Sequence, residues 1–337
     1  MEKKLQRNVS LDFLKVLSCI SIVILHIFGR KPNVYNSIFY YVATFAIPIF
    51  FMVNGFLLIK KERIDYKYII KKIVKIFIII FSWNIILSIA IFLYKRGIQN
   101  PIIEAVKNLI QKGTFFQFWF FGSLIIIYCI LPILHKILSK NKNIYKIVLL
   151  ILFFICIMID VINIILGLNG QKIFTEQIIQ TFRLWTWLFY FLLGGYIGKY
   201  NVELNVCKNK KVYIFEILLT MVVIVIYQYI IGNFIFKNFH AEYFYDNILI
   251  MFYVLLIWSG VYNNQKYFKY ESIIEKLNKY IIGIYILHPL IIKGISKFYQ
   301  YDNFLINIIM LILVLSISVI ISIVIDKIPK IREIIKM

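Results

Sequence analysis

Ten stretches of about 20 mostly apolar residues follow one another along this chain, and short segments between them carry most of its charge. They span residues 11–28, 37–59, 69–94, 115–138, 145–166, 184–199, 211–232, 245–262, 279–297 and 303–325. About 20 apolar residues is the length an α-helix needs to cross the hydrocarbon core of a bilayer. The runs are continuous rather than alternating, which excludes the strands of an outer-membrane barrel. Hydrophobic residues make up 61% of the chain and charged residues 16%. A soluble domain is nearer 45–50% apolar and about 25% charged. A cytosolic globular fold and a disordered chain are therefore both excluded. The expected fold is all-α: a polytopic transmembrane bundle of about ten helices, with residues 1–337 forming a single membrane domain.

The distribution of cations sets an expected orientation. Of the 38 Lys and Arg residues, 26 fall in the segments on one side of the ten runs, 11 on the other, and Lys15 lies inside the first run. The richer side is expected to be cytoplasmic, which puts both termini inside. The formal net charge of +22 then reflects topology and contact with anionic lipid headgroups, and nucleic acid is not an expected partner. Cys19, Cys129, Cys156 and Cys207 are widely spaced and form no CxxC pair, so neither a metal site nor a disulfide frame is expected. Leu11–Phe28 is followed by no small-residue cleavage site and reads as a retained span rather than a signal peptide.

Ionisable groups inside apolar runs cost several kcal/mol and mark candidate sites. Lys15 and His26 both lie in the first run. On an ideal helix they fall within about 20° of one face and about 16 Å apart along the axis, with Ser18, Cys19 and Ile22 on or near that face. The plainer alternative is that Lys15 snorkels to the headgroups and His26 is an interhelical hydrogen-bonding residue. Lys71, Lys72 and Lys75 in KKIVK cluster at the start of the third run, where they suit phosphates or simply lipid headgroups. In IYILHPL, Tyr285 and His288 sit deep in the ninth run beside Pro289, where the imidazole has a function or satisfies a carbonyl freed by the proline. His135 and His240 have no partner that the sequence identifies. Asp160, Glu176, Arg183, Glu242, Asp246 and Asp302 lie toward the cation-poor side, where they bind a sugar or are solvated. No P-loop, GxGxxG, GxSxG or HExxH pattern is present.

Several of these segments, taken in order, resemble the membrane acyltransferase 3 family. LDFLKVLSCISIVILH resembles the family's first helix, FMVNGFLLIKK the element after its second span, and KKIVK its basic Arg-x-x-Arg element. FWFFGSLIIIYCILPIL resembles its Trp-Phe-Leu … Tyr … Pro helix through Trp119, Tyr128 and Pro132, and YFLLGGYIGK and IYILHPL resemble later elements. The resemblance runs from about residue 8 to residue 325. Lys15 stands where the family has Arg, with the same spacing to the histidine. Lys72 and Lys75 replace the Arg pair, and Asn54 stands where the family has Ser. Lysine keeps the charge but loses the planar bidentate fork of arginine.

The resemblance implies an integral membrane O-acyltransferase of the plasma membrane. It would move an acyl group, usually acetyl, from cytoplasmic acetyl-CoA to a hydroxyl of a surface polysaccharide, cell-wall sugar or glycolipid at the outer face, without a metal. His26 would be the general base, or form an acyl-His intermediate. Lys15 would stabilise developing negative charge or orient the donor. Lys72 and Lys75, supported by Lys71, would hold CoA phosphates, and Trp119, Tyr285 and His288 would line the tunnel or acceptor pocket. Two other classes of function stand beside this one: a glycolipid transporter or flippase using the same polar path, and a sensor or partner subunit without chemistry.

Overall fold

A computed structural model describes residues 8–30, 33–94, 97, 99–204, 209–263, 271–298 and 303–336. Cys207, Asp302 and the loop cations Lys3, Lys4, Arg7, Lys31, Lys95, Arg96, Lys208, Lys266 and Lys269 lie outside the described residues. Among those described there is no strand. The helices are α1 (Val9–Phe28), α2 (Val34–Val42), α3 (Ala46–Ile59), α4 (Tyr66–Leu93), α5 (Pro101–Leu109), α6 (Trp119–Leu138) and α7 (Lys142–Leu168). They continue with α8 (Phe174–Gln177), α9 (Leu184–Tyr200), α10 (Lys210–Ile230), α11 (Ile248–Tyr262), α12 (Glu271–Lys279), α13 (Ile281–Ile295) and α14 (Phe304–Asp326).

Most of these helices start on an Asn or Asp. The side chains of Asn8, Asn33, Asp65, Asn100, Asn141, Asn209, Asn247 and Asn303 each accept a hydrogen bond from a backbone N–H in the first turn. An N-cap oxygen satisfies donors that the helix itself leaves orphaned.

Among the described residues, seven helical stretches are long and apolar enough to cross a membrane: Val9–Phe28, Val34–Ile59, Tyr66–Leu93, Phe116–Leu138, Lys142–Leu168, Lys210–Ile235 and Phe304–Asp326. The chain is therefore a multi-pass membrane protein. The other three expected spans coincide with shorter helices, α9 of 17 residues and α11 and α13 of 15. The sequence windows for α11 and α13 ran over capping residues, Asn247 and Tyr280, that interrupt the helix. Fifteen residues rise only about 22 Å, short of the roughly 30 Å hydrocarbon core.

The helices divide into a buried group and a lipid-facing group. Of the most apolar window of Val34–Ile59, 78% is buried, against 17% for α7 and for Lys210–Ile235. On α7, Ile147, Leu150, Phe154, Met158, Val161 and Ile165 form an exposed apolar stripe at helical spacing. A stripe of that kind suits acyl chains. The buried group centres on α3 and α9. A Cβ on Gly55 would run into the Phe191 carbonyl, and one on Gly194 into the Met52 carbonyl, so the two backbones touch. Gly194 and Gly198 form the small-xxx-small pattern that lets membrane helices approach this closely.

Buried amides tie the periphery to this centre. Asn108 donates to Asn84 at 2.8 Å and accepts from the Phe115 N–H at 2.8 Å, joining α4, α5 and the approach to α6. Asn307 on α14 donates to Asn36 on α2 at 3.1 Å. Helix α1 packs against α3, α12, α13 and α14, which places its polar face in the interior.

Candidate functional site

Two cavities lie end to end along α1. The first, of about 590 Å³, opens at a lysine-rich mouth. Lys15, Ile22 and His26 of α1 form one wall, and Phe50, Val53, Asn54 and Leu57 of α3 another. Lys72 and Lys75 of α4 stand at the mouth, with Lys279 at the end of α12 and Lys336 after α14. Trp119, Phe120 and Phe121 of α6 and Tyr285 of α13 close the apolar interior. The second cavity, of about 680 Å³, lies at the opposite end. It is lined by Arg30, Gln111, Gln180, His240, Glu242, Tyr243 and Lys293, among others. His26, Ile47 and Trp119 belong to the walls of both.

Six of the eight residues that the sequence singles out thus line one cavity: Lys15, His26, Lys72, Lys75, Trp119 and Tyr285. The shared face of Lys15 and His26 follows from helical spacing alone. Ser18 and Cys19 are buried and do not line it, and the Cys19 thiol contacts the Ile281 carbonyl at 3.7 Å. Lys71 is exposed and lies outside the cavity wall. His288 is fully buried behind His26, with ring centroids 5.0 Å apart. Its Nδ1 bonds the Ile284 carbonyl at 2.9 Å. Phe116 meets the His26 ring edge-on at 5.4 Å.

At the lysine-rich mouth the cations are only partly neutralised. Lys15 pairs with Asp12 at 3.0 Å, and Asp12 also accepts from the Asn278 amide at 2.7 Å. Lys75 lies 3.6 Å from Glu333. Lys72 sits over the Tyr68 ring, 5.7 Å from its centroid. Lys279 and Lys336 both pair with Asp326. The segment Arg332–Ile335 folds back as a 3-10 turn, burying Ile334 and Ile335, and the Trp83 indole donates to the Ile334 carbonyl at 3.0 Å. A charged tail thereby becomes part of the cavity wall. Nothing in the pattern of the last ten residues marks it for that place.

Connecting segments build much of the opposite cavity. Glu242 accepts from the Gln180 amide and from Gln111 at 3.4 Å. Arg183 is a structural clamp: it donates to the carbonyls of Ile178, Thr175 and Glu242 at 2.7–2.9 Å. Asp246 is held by Thr186 and Trp185, and Asp160 by Asn247. Glu176 is exposed. Of the acidic and basic groups that the sequence places toward this side, Glu242 faces the cavity and most of the others brace the loops. Burial, reinforced by Glu242, pushes the Tyr243 hydroxyl above its ordinary range, so it stays a neutral donor and acceptor at that wall. His240 lines this cavity, whereas His135 closes α6 onto the turn after α3 by bonding the Lys61 carbonyl at 2.9 Å.

Among the described residues no group of three or more His, Cys, Asp or Glu is placed to hold a metal ion. Chemically, the arrangement offers one imidazole between a pocket with a cationic mouth and a largely apolar interior and a polar one rich in hydrogen-bonding groups.

Comparison with known proteins places the chain in a family. The profile of a family described as an acyltransferase domain matches residues 8–327. An amino-acid racemase of Enterococcus faecalis is 22% identical over 333 residues, which cover 89% of this chain and 43% of that protein. The chain thus spans less than half the length of that curated relative. No solved structure matches.

Proposed function

Because the chain belongs to the membrane acyltransferase 3 family, we propose that it is an O-acetyltransferase of the plasma membrane, taking acetyl from cytoplasmic acetyl-CoA and giving it to a hydroxyl of a surface polysaccharide, cell-wall sugar or glycolipid. The observation that carries the reading is the pair of cavities that share His26 as a wall. In this proposal all ten apolar stretches lie within the membrane domain, and both termini and the lysine-rich mouth are cytoplasmic. Arginine and lysine loop bias supports that side.

The donor enters at the mouth. Lys72 and Lys75 hold the CoA phosphates as point charges, with Lys279 and Lys336 adding to the same field. Lys15 lies about 16 Å along α1 from His26. It therefore orients the donor and does not touch the reacting atoms. Lys71 adds only to the field outside. The apolar interior, between Phe50, Val53 and Phe120, takes the pantetheine arm, and Trp119 and Tyr285 flank the thioester.

The acceptor enters the opposite cavity, where Gln111, Gln180 and Glu242 offer amide and carboxylate partners to sugar hydroxyls. His26 takes the proton of the acceptor hydroxyl as its oxygen attacks the thioester carbonyl. The C–O bond forms, the C–S bond breaks, and the departing thiolate recovers the proton from the imidazolium. Amino-acid racemisation is not carried over from the Enterococcus protein, most of whose length has no counterpart here.

The test uses membranes of cells that make the protein, supplied with isotope-labelled acetyl-CoA. Label should appear as an ester on envelope glycans, and mass spectrometry should show an acetyl-sized increment absent from cells lacking the protein. Movement of unmodified glycolipid without any acetyl transfer would replace this reading with the flippase.

A further inference from the structure

His288 has a buried nitrogen with nothing to bond. Its Nδ1 lies 2.9 Å from the Ile284 carbonyl, and a carbonyl only accepts, so Nδ1 carries the proton. In the neutral ring Nε2 is then an acceptor, and it has no partner although the residue is fully buried. Buried polar atoms are nearly always satisfied, and an exception calls for a reason. The ring faces His26 at a centroid separation of 5.0 Å and an angle of 43°. Tyr285 lies farther off, at 6.2 Å, and its hydroxyl is already engaged with the Gln117 carbonyl. Of these two rings His26 is the nearer, and His26 lines both cavities while His288 lines neither.

We propose that His288 is a positioning residue for His26: its Nε2 accepts a hydrogen bond from one N–H of the His26 ring, directly or through a single water. This rests on the reading of His26 as the base. A neutral imidazole has one protonated and one free nitrogen. Fixing which nitrogen carries the proton turns the free one toward the acceptor hydroxyl. When His26 takes the hydroxyl proton, the same contact steadies the imidazolium until the thiolate recovers that proton. His288 neither gains nor loses a proton in the cycle.

The proposal is tested with His288→Ala and His288→Gln, the latter retaining an amide oxygen that reaches about as far as Nε2. In native membranes with labelled acetyl-CoA, His288→Ala should lower kcat by about 100-fold and leave KM for acetyl-CoA within about twofold. His288→Gln should restore most of the loss. In purified protein in nanodiscs, ¹⁵N resonances of the His26 ring should report one tautomer in the wild type and an exchanging pair in His288→Ala. A role confined to packing would leave the His26 resonances and tautomer unchanged, and that result overturns the proposal. So does full kcat in His288→Ala, or a Gln variant no better than Ala. If the wild type transfers no acetyl, the functional reading fails instead, and the ¹⁵N comparison still decides the pairing.

Discussion

The two cavities share a wall but are built from different material. The one with the lysine-rich mouth, the inner one in the proposed orientation, is framed mainly by α1, α3, α4, α6, α12 and α13, with cations gathered at that mouth. The opposite one, the outer one in that orientation, draws Gln111, Gly113 and Thr114 from the loop before α6, Gln180 from the turn before α9, and His240, Glu242, Tyr243 and Tyr245 from the segment before α11. Rigid helices suit a ligand that never changes. Loops tolerate substitution and adjust to a ligand that does. In the proposed reaction this contrast fits the constant partner, the CoA donor, to the inner cavity and the variable one, the glycan, to the outer.

The sharpest way to break this contrast is to remove the residue that both cavities share. His26→Ala should leave the protein inserted and folded, yet reduce acetyl transfer from labelled acetyl-CoA by about 10²–10⁴-fold. Normal turnover in that variant would detach the cavities from the chemistry. The next largest effect is on the inner side. Replacing Lys72 and Lys75 together by Ala removes two charge-assisted contacts, each worth roughly 1.5 kcal/mol. KM for acetyl-CoA should rise by about 100-fold with kcat and acceptor dependence little changed. Added salt should weaken donor binding in the wild type more than in this variant.

Tight helix packing around the inner cavity is probed by Gly194→Ala. The methyl group must push α9 off α3, so detergent-solubilised protein should lose about 1–3 kcal/mol of stability in thermal or denaturant unfolding. On the outer side Glu242→Gln keeps the shape but removes the charge. The dependence on acceptor concentration should weaken about three- to tenfold while KM for acetyl-CoA stays put. The smallest effect is expected from Lys71→Ala, because that side chain is exposed and off the cavity wall: donor KM should stay within about twofold. A loss as large as that of Lys72 and Lys75 would redraw the mouth.

The helical plan was legible because lipid imposes a length and a composition on every crossing segment. The inner cavity was legible in part. Lys15 and His26 share a face by arithmetic, but the spacing of KKIVK pairs Lys75 equally with Lys71 and Lys72, and only packing decides which of the two faces inward. Residues with no chemical signature were not legible. Gln111, Gln180 and Glu242 meet from three loops, and no periodicity connects loops. Arg332–Ile335 reads as a charged tail, and its place in the wall depends on a hydrogen bond from Trp83 far upstream. Gly55 and Gly194 stand in segments that resemble family elements, but that they are the contact point of α3 and α9 emerges only from the backbone approach.

That Lys336 lines the same cavity as Lys15 has a consequence for biosynthesis. A chain still in synthesis lacks Glu333, Ile335 and Lys336 in the wall of that cavity until this segment has emerged. Helices α1 to α14 can be inserted one after another by the translocation machinery, yet none of those intermediates has the complete wall of this cavity. In the proposed reaction, the donor site would be complete only once the fold is finished.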